Sequence, residues 1–153
     1  MTCPDVGDPA PRIDLPSTEG RFDLYERLED GPVLLVFYPK DETLVCTRQL
    51  CNYRDHLSMF RRLGVQLAGI NHDGLDCHEA FAERYKFSFP LVSDEARTTC
   101  KAYGALLDLW KMRRLLVLVG QDGRIWWRQA DLRIRYRGAQ DLEDVIAELL
   151  RHE

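Results

Sequence analysis

This chain of 153 residues contains five cysteines, at positions 3, 46, 51, 77 and 100. Their thiols are the side chains whose type and spacing best suit a chemical reaction. Cys46 lies a short loop beyond the apolar run 33–38, at the predicted start of a long helix. Unpaired backbone N–H groups and the positive end of a helix dipole favour a thiolate at such a position. Because a thiolate is a nucleophile, the sequence predicts a reactive thiol at Cys46.

Cys51 follows five residues after Cys46. On a continuous helix this step separates two Cα atoms by roughly 8.6 Å, beyond the limit of about 7 Å for a disulfide. The two sulfurs could bond only if the first turns of the helix unwound. The spacing therefore favours a cycle between a folded and a locally unfolded state over a simple dithiol carrier. The alternative is that Cys51 is a small buried side chain on the inner face of the helix.

The elements that must position these thiols alternate in type along the chain. In chain order we predict a buried strand at 33–38, a helix at 43–63 with Thr43 as its N-cap, a strand at 65–70, a helix at 77–85, an extended stretch at 89–92, a helix from Asp94 to Tyr103, a hairpin at 115–127 and a helix at 141–150 capped by Asp141. The pair Asp122–Gly123 is expected to supply the positive φ angles of the hairpin turn. This order is typical of an α/β fold with a central mixed sheet and helices on both faces.

Composition limits the classes of function. The chain has 25 acidic and 21 basic residues and a net charge of -4, which disfavours binding to nucleic acid or to an anionic membrane. Its longest purely apolar run, 115–119, is far shorter than the roughly 20 residues of a membrane span. The first ten residues do not resemble a secretory signal, so we expect a cytoplasmic protein, and one domain over residues 1–153.

An arginine-rich segment near the C-terminus allows two interpretations. Arg133, Arg135 and Arg137 alternate beside aromatic residues, a combination that can bind single-stranded nucleic acid. The alternation is more typical of the solvated face of an edge strand, where charges discourage aggregation. We expect no nucleic-acid partner.

The residues around Cys46 resemble a known family. Pro39, Thr43 and Cys46 match the PxxxTxxC motif of peroxiredoxins, and the stretch from Phe37 through Asp55 is similar to the bacterioferritin comigratory protein branch, also called the Q type. The similarity continues at Gly69-Ile70, Asp73, His78, Phe81, Phe89 to Asp94, Tyr103-Gly104 and Arg114. It covers about residues 6 to 150 and implies a thioredoxin-like fold.

The resemblance also implies roles for individual residues. Cys46 would be the peroxidatic cysteine, and Thr43 would hydrogen-bond its thiolate and the peroxide. Arg114 would stabilise the thiolate and the developing charge, and Pro39 would shield the site. Cys51 would be the resolving cysteine, forming a disulfide with Cys46 that a dithiol protein such as thioredoxin reduces. The substrates would be hydrogen peroxide and alkyl hydroperoxides, with no metal or organic cofactor.

The chain departs from the branch at two places. Leu44 and Val45 replace the usual Pro-Gly before the nucleophile, which makes the loop bulkier and more apolar. Gln49 replaces a glutamate that helps to orient the active-site arginine, so a negative charge is missing.

Several alternatives stay open. Cys77 could resolve in place of Cys51, since some members of the branch place that cysteine in the same helix. A zinc site from His72, Cys77 and His78 has less support, because the spacing matches no common ligand pattern. The rival functions are a thioredoxin-like protein disulfide oxidoreductase and a non-catalytic redox-sensing module. A monomer is expected, with a weak dimer as the alternative.

Overall fold

The computed structural model describes residues 3–107, 111–131 and 136–151. Its elements are β1 (Asp14–Ser17), β2 (Gly20–Asp23), α1 (Leu24–Arg27), β3 (Val33–Phe37), α2 (Leu44–Asp55), α3 (Leu57–Arg62), β4 (Gln66–Asn71), α4 (Leu75–Tyr85), β5 (Leu91–Ser93), α5 (Thr98–Tyr103), β6 (Arg114–Val119), β7 (Ile125–Asp131) and α6 (Ala139–Arg151). Within these residues the strands form one seven-stranded sheet in the order β2-β1-β5-β4-β3-β6-β7. The three central strands β5, β4 and β3 are parallel, whereas β6 is antiparallel to β3. The predicted mixed α/β sheet is confirmed.

The central strand β3 is buried on both faces, as its uninterrupted apolar sequence predicts. Successive side chains of a strand point to opposite faces, so Leu34 and Val36 belong to one core cluster and Leu35 to the other. The first cluster packs against α2, α3, α4 and α6, and the second against α1 and α5. Helices therefore cover both faces of the sheet.

The predicted long helix over 43–63 is interrupted at His56. There φ is -112° and ψ is 21°, so α2 ends and α3 begins. The His56 ring donates from Nδ1 to the carbonyl oxygen of Asn52 at 2.8 Å. In an uninterrupted helix that oxygen would accept from the backbone N–H of His56, so the side chain competes with the backbone. The expected stop at Gly64 is confirmed, with a φ of +76°.

Three predicted helix starts are wrong. Helix α4 begins at Leu75 rather than at Cys77. The helix before Tyr103 begins at Thr98 rather than at Asp94, although Oδ2 of Asp94 still accepts from the backbone N–H of Cys100 at 2.7 Å. The last helix begins at Ala139 rather than at Asp141. Its cap comes from a distant part of the chain, because the backbone N–H of Ala139 donates to Oδ1 of Asn52 at 2.7 Å.

The strands also differ from the prediction. In the hairpin turn Gly123 has a φ of +79°, but Asp122 does not have a positive φ. The turn-rich N-terminal region, for which no strand was predicted, forms the hairpin of β1 and β2. Each of these strands has only four residues, too few to show a clear alternation of apolar and polar side chains.

The alternating arginines lie partly outside the described residues, which include Arg137 but not Arg133 or Arg135. The guanidinium of Arg137 lies 5.8 Å from the ring centre of Trp127. In the described part of the chain, none of the helices has both the length and the apolar character that crossing a membrane requires.

The contact between Asn52 and α6 gives a first prediction. Asn52→Ala removes the side chain that caps α6, so we expect the free energy of unfolding to fall by about 1 kcal/mol. Asn52→Asp keeps an oxygen acceptor and should retain most of the stability. Urea denaturation followed by circular dichroism measures both variants, and equal losses in the two would contradict the capping role.

Candidate active site

Cys46 lies in the first turn of α2, close to the carboxyl edge of the parallel strands. Its side chain is only 1% exposed and belongs to the apolar cluster on the α2 face of the sheet. The described residues include all five cysteines, and none of them is disulfide-bonded.

Arg114, the first residue of β6, reaches the sulfur of Cys46. Its guanidinium is 2% exposed, and Nη2 donates to Sγ of Cys46 at 3.1 Å. Nη1 donates to Oε1 of Gln49 at 2.6 Å. The neighbouring Arg113 points elsewhere, because its Nε donates to the carbonyl oxygen of Gly104. A buried cation in contact with a sulfur stabilises the thiolate over the thiol.

Gln49 connects Arg114 to the C-terminal part of the chain. Its amide Nε2 donates to the Tyr53 hydroxyl at 3.2 Å, and that hydroxyl donates to the carbonyl oxygen of Arg137 at 2.7 Å. Burial raises the pKa of Tyr53 well above its ordinary value, so the hydroxyl remains a donor. Sequence reasoning did not find Tyr53 in this role. The signal was its spacing, since positions 46, 49 and 53 share one face of a helix.

The structure places Thr43 and Pro39 in the loop before α2. Thr43 is the N-cap residue, as predicted, although its side chain makes no capping hydrogen bond. The hydroxyl of this exposed residue donates to the carbonyl oxygen of Lys40 at 3.0 Å, rather than to the sulfur of Cys46. Pro39 is buried. Leu44 is 65% exposed and Val45 is partly buried, so an apolar rim lies beside the reactive sulfur.

The other cysteines have different surroundings. Cys51 is partly buried against the cluster on the α2 face, and this burial raises the pKa of its thiol, with the charge of Arg54 acting in the opposite direction. Cys77 is exposed on α4, and Cys3 is exposed near the N-terminus. Cys100 is buried in the opposite cluster, where burial raises the pKa of its thiol well above the ordinary range.

The structure does not support the zinc alternative. Both ring nitrogens of His78 are hydrogen-bonded, Nδ1 to Asp41 and Nε2 to the carbonyl oxygen of Val92. Among the residues that the structure describes, His, Cys, Asp and Glu side chains do not come together in threes as a metal site requires.

Comparison with known proteins identifies the family. The model of the AhpC/TSA family matches residues 6–128. The chain belongs to the AhpC/TSA family. It is 38% identical over 104 residues to the bcp peroxiredoxin of Coxiella burnetii, an alignment that covers 68% of this chain and 69% of that protein. It is also 38% identical over 104 residues to the chloroplastic peroxiredoxin Q of Sedum lineare, covering 68% of this chain and 56% of that protein.

A solved structure agrees with this assignment. The peroxidoxin BcpB of Mycobacterium tuberculosis superimposes with a TM-score of 0.84 at 27% identity, covering 98% of this chain and 99% of that one. The predicted thioredoxin-like fold and the resemblance to the Q-type branch are confirmed. Sequence and fold together identify a peroxiredoxin, the class of enzyme in which a cysteine thiol reduces peroxides.

In this peroxiredoxin Gln49 lacks the negative charge of the glutamate that is usual in the branch, but it keeps the hydrogen bond to Arg114. The amide oxygen accepts from Arg114 as a carboxylate would, so the guanidinium is still oriented. The amide nitrogen also donates to Tyr53, which an ionised glutamate could not do. Gln49 therefore accepts from Arg114 and donates to Tyr53 without adding a negative charge beside the thiol.

The geometry of Arg114 gives a prediction for this peroxiredoxin. Arg114→Lys keeps a positive charge but cannot hold Cys46 and Gln49 at once, so we expect oxidation of Cys46 by hydrogen peroxide to slow by about 100-fold. Stopped-flow tryptophan fluorescence measures the rate. Arg113→Lys is the matched control and should oxidise at close to the wild-type rate, because Arg113 contacts Gly104 instead. A wild-type rate in Arg114→Lys would show that the two-pronged contact does not activate the thiol.

Proposed function

We propose that this peroxiredoxin reduces hydrogen peroxide and alkyl hydroperoxides with Cys46 as the attacking thiolate. The observation that carries the proposal is the buried contact of 3.1 Å between Arg114 and Sγ of Cys46. The guanidinium is charged at all physiological pH values, so it provides a fixed positive charge for the thiolate and for the departing oxygen. The apolar rim of Leu44 and Val45 suits the alkyl part of an organic hydroperoxide.

The first step forms a sulfur–oxygen bond and breaks the oxygen–oxygen bond. The Cys46 thiolate attacks the terminal oxygen of the peroxide and becomes a sulfenic acid. The second peroxide oxygen leaves with the electron pair of the broken bond and takes up a proton as water or alcohol. Arg114 is placed to stabilise the negative charge on that oxygen as it develops.

Thr43 and Pro39 are proposed to shape the approach of the peroxide. The Thr43 hydroxyl donates to Lys40 in the absence of substrate, and rotation about its χ1 angle would allow it to bond a peroxide oxygen instead. Pro39 is buried at the base of the loop, where it excludes water and fixes the direction of the chain before α2.

The second step joins Cys46 to Cys51. The sulfur of Cys51 attacks the sulfenic sulfur, a disulfide forms and water leaves. Since both cysteines lie on the continuous helix α2, its first turns must unwind, and the bond between Gln49 and Arg114 must break.

Two contacts lie beyond the segment that must unwind. Asn52 caps α6, and Tyr53 donates to the carbonyl oxygen of Arg137. Both residues follow Cys51 in the sequence, so the second half of α2 can stay attached to the C-terminal region. We propose that these two contacts limit unwinding to the part of α2 that the disulfide needs.

A dithiol protein of the thioredoxin type then reduces the disulfide by exchange. Because the proposed resolving cysteine lies on the same chain as Cys46, we propose that a monomer suffices for the cycle, with a weak dimer as the alternative. The proposed site of action is the cytoplasm, where such reductants keep thiols reduced.

Replacing single cysteines tests these roles in a peroxidase assay with thioredoxin and its reductase. We expect Cys46→Ser to lose turnover, because no thiolate attacks the peroxide. Cys51→Ser should complete one oxidation of Cys46 and then stall or over-oxidise. Cys77→Ser is the matched control and should turn over like the wild type.

Two results of that experiment would contradict the assignment. Full turnover in Cys46→Ser would overturn the role of Cys46. Continued cycling in Cys51→Ser together with stalling in Cys77→Ser would move the resolving role to Cys77. Mass spectrometry of the peroxide-treated protein identifies the paired cysteines directly, and an insulin-reduction assay tests for the rival disulfide oxidoreductase activity.

The raised pKa of Cys51 predicts a pH dependence. Burial disfavours the charged thiolate, so at pH 7 the folded protein should contain less Cys51 thiolate than an exposed cysteine would. Alkylation of Cys51 by iodoacetamide should be slow at pH 7 and should still accelerate above the ordinary thiol pKa of 9.0. Peptide mass spectrometry measures the rate in the Cys46→Ser variant. The same measurement in denaturant is the control, and equal rates at pH 7 with and without denaturant would show that burial does not restrain Cys51.

A further inference from the structure

A cluster of buried polar side chains lies beneath the loop that leads to Cys46. Asp41 belongs to this loop, and its side chain is 4% exposed. Oδ1 accepts from the Tyr38 hydroxyl at 2.6 Å and from the amide of Asn71 at 3.2 Å. Oδ2 lies 2.6 Å from Nδ1 of His78, a residue that has no exposed surface. Three elements, the end of β3, the end of β4 and helix α4, thus converge on one carboxylate.

The hydrogen-bond partners indicate which atoms of this cluster carry protons. Nε2 of His78 lies 3.0 Å from the carbonyl oxygen of Val92, which can only accept, so Nε2 carries a proton. Oδ1 of Asp41 accepts from both Tyr38 and Asn71. An ionised carboxylate only accepts, so beside it Nδ1 of His78 carries a second proton. His78 is then an imidazolium that forms a buried ion pair with Asp41.

The backbone of the same loop is fixed beside the ion pair. The N–H of Asp41 donates to Oδ2 of Asp73 at 2.7 Å, and Asp73 also accepts from the amide of Asn71 at 3.3 Å. Asp41 precedes Cys46 by five residues, and α2 begins only three residues after it. The ion pair therefore fixes the chain at the point from which the reactive helix starts.

Tyr38 connects the ion pair to the thiol electrostatically. Burial raises the pKa of the Tyr38 hydroxyl well above its ordinary value, and the Asp41 carboxylate raises it further. Negative charge on Asp73 or on the sulfur of Cys46 acts in the same direction, and Tyr38 and Cys46 belong to the same buried cluster. The titratable groups in and next to the ion pair are Asp41 on the loop, His78 on α4 and Asp73 after β4, followed by Cys46 on α2 with Arg114 of β6 in contact with it.

We propose that His78 is a positioning residue for the peroxidase reaction: its imidazolium neutralises Asp41, so that the loop keeps Cys46 in place and Asp41 adds no unpaired negative charge beneath the thiolate. This inference rests on the proposed function and adds a residue that does not touch the peroxide. If His78 is replaced by a neutral side chain, Asp41 remains as an unpaired buried charge. That charge opposes the thiolate and draws the loop towards water.

Two substitutions distinguish the effect of the charges on Asp41 and His78 from the effect of their side-chain shapes. His78→Gln removes the imidazolium and leaves Asp41 ionised. Asp41→Asn removes the carboxylate, yet its amide can still accept from Tyr38 and Asn71 and can donate to Nδ1 of a neutral His78. The double variant Asp41→Asn/His78→Gln has no charge at either position.

The experiment measures the rate at which iodoacetamide alkylates Cys46 as a function of pH, and the rate of oxidation by hydrogen peroxide at pH 7. For His78→Gln we expect the half-maximal alkylation rate to move about one pH unit higher and oxidation to slow about tenfold. Asp41→Asn and the double variant should remain within about threefold of the wild type, because neither leaves an unpaired charge. Glu42→Gln is the matched control, since it breaks the exposed ion pair of Glu42 with Arg84, which joins the same loop to α4.

A purely structural role for His78 would give a different result. Comparable losses in all three variants, or an unchanged alkylation profile in His78→Gln, would overturn the proposal. Alkylation needs no peroxidase activity, so a wild-type protein that alkylates as expected but does not turn over peroxide contradicts the proposed function and not the ion pair.

A spectroscopic measurement on the folded protein does not depend on the stability of His78→Gln. Nitrogen-15 NMR of the wild type should show both ring nitrogens of His78 protonated at pH 7. In Asp41→Asn it should show a single tautomer with the proton on Nε2. A neutral His78 in the wild type would overturn the proposal.

Discussion

The contact between the guanidinium of Arg114 and the sulfur of Cys46 is the interaction on which the rest of the active site depends. A buried cation is unfavourable unless hydrogen-bond acceptors surround it. Here one acceptor is the reactive sulfur itself and another is the amide oxygen of Gln49, both on α2. The start of β6 and the first turns of α2 must therefore stay together. The arrangement that neutralises the buried arginine is also the arrangement that brings a positive charge to Cys46, the proposed nucleophile.

In the proposed cycle, helix α2 must satisfy two opposing requirements. It has to be formed for Cys46 to meet Arg114, and its first turns have to unwind for Cys46 to meet Cys51. The contacts of the helix are divided accordingly. Gln49 bonds within the segment that unwinds, whereas Asn52 and Tyr53 attach the later part to the residues around the start of α6. One helix can thus change its first turns while its second half remains in place.

Polar groups at the carboxyl ends of the parallel strands carry the site, whereas the strands themselves are apolar. Asn71 ends β4, Tyr38 follows β3, and the carbonyl of Val92 in β5 accepts from His78. Loops that leave this edge of an α/β sheet commonly bind ligands or hold reactive groups. In this peroxiredoxin the same edge holds a buried network that contacts the loop before Cys46. In the role proposed for His78, this network sets the position of the thiol and the charge near it without contacting the substrate.

The sequence by itself determined the position of the proposed nucleophile at the start of a helix, the five-residue spacing from Cys46 to Cys51, and the apolar strands around which the sheet forms, because these follow from local residue types and periodicity. Arg114 was indicated by the resemblance to the peroxiredoxin family. Only the tertiary structure decided that Asp41 meets His78, which lies 37 residues later, and that Asn52 caps a helix 87 residues away. The break at His56 and the direction of the Gln49 amide were also decided there. Each depends on which hydrogen-bond partners the fold brings within reach, and sequence periodicity carries no information about partners that are distant along the chain.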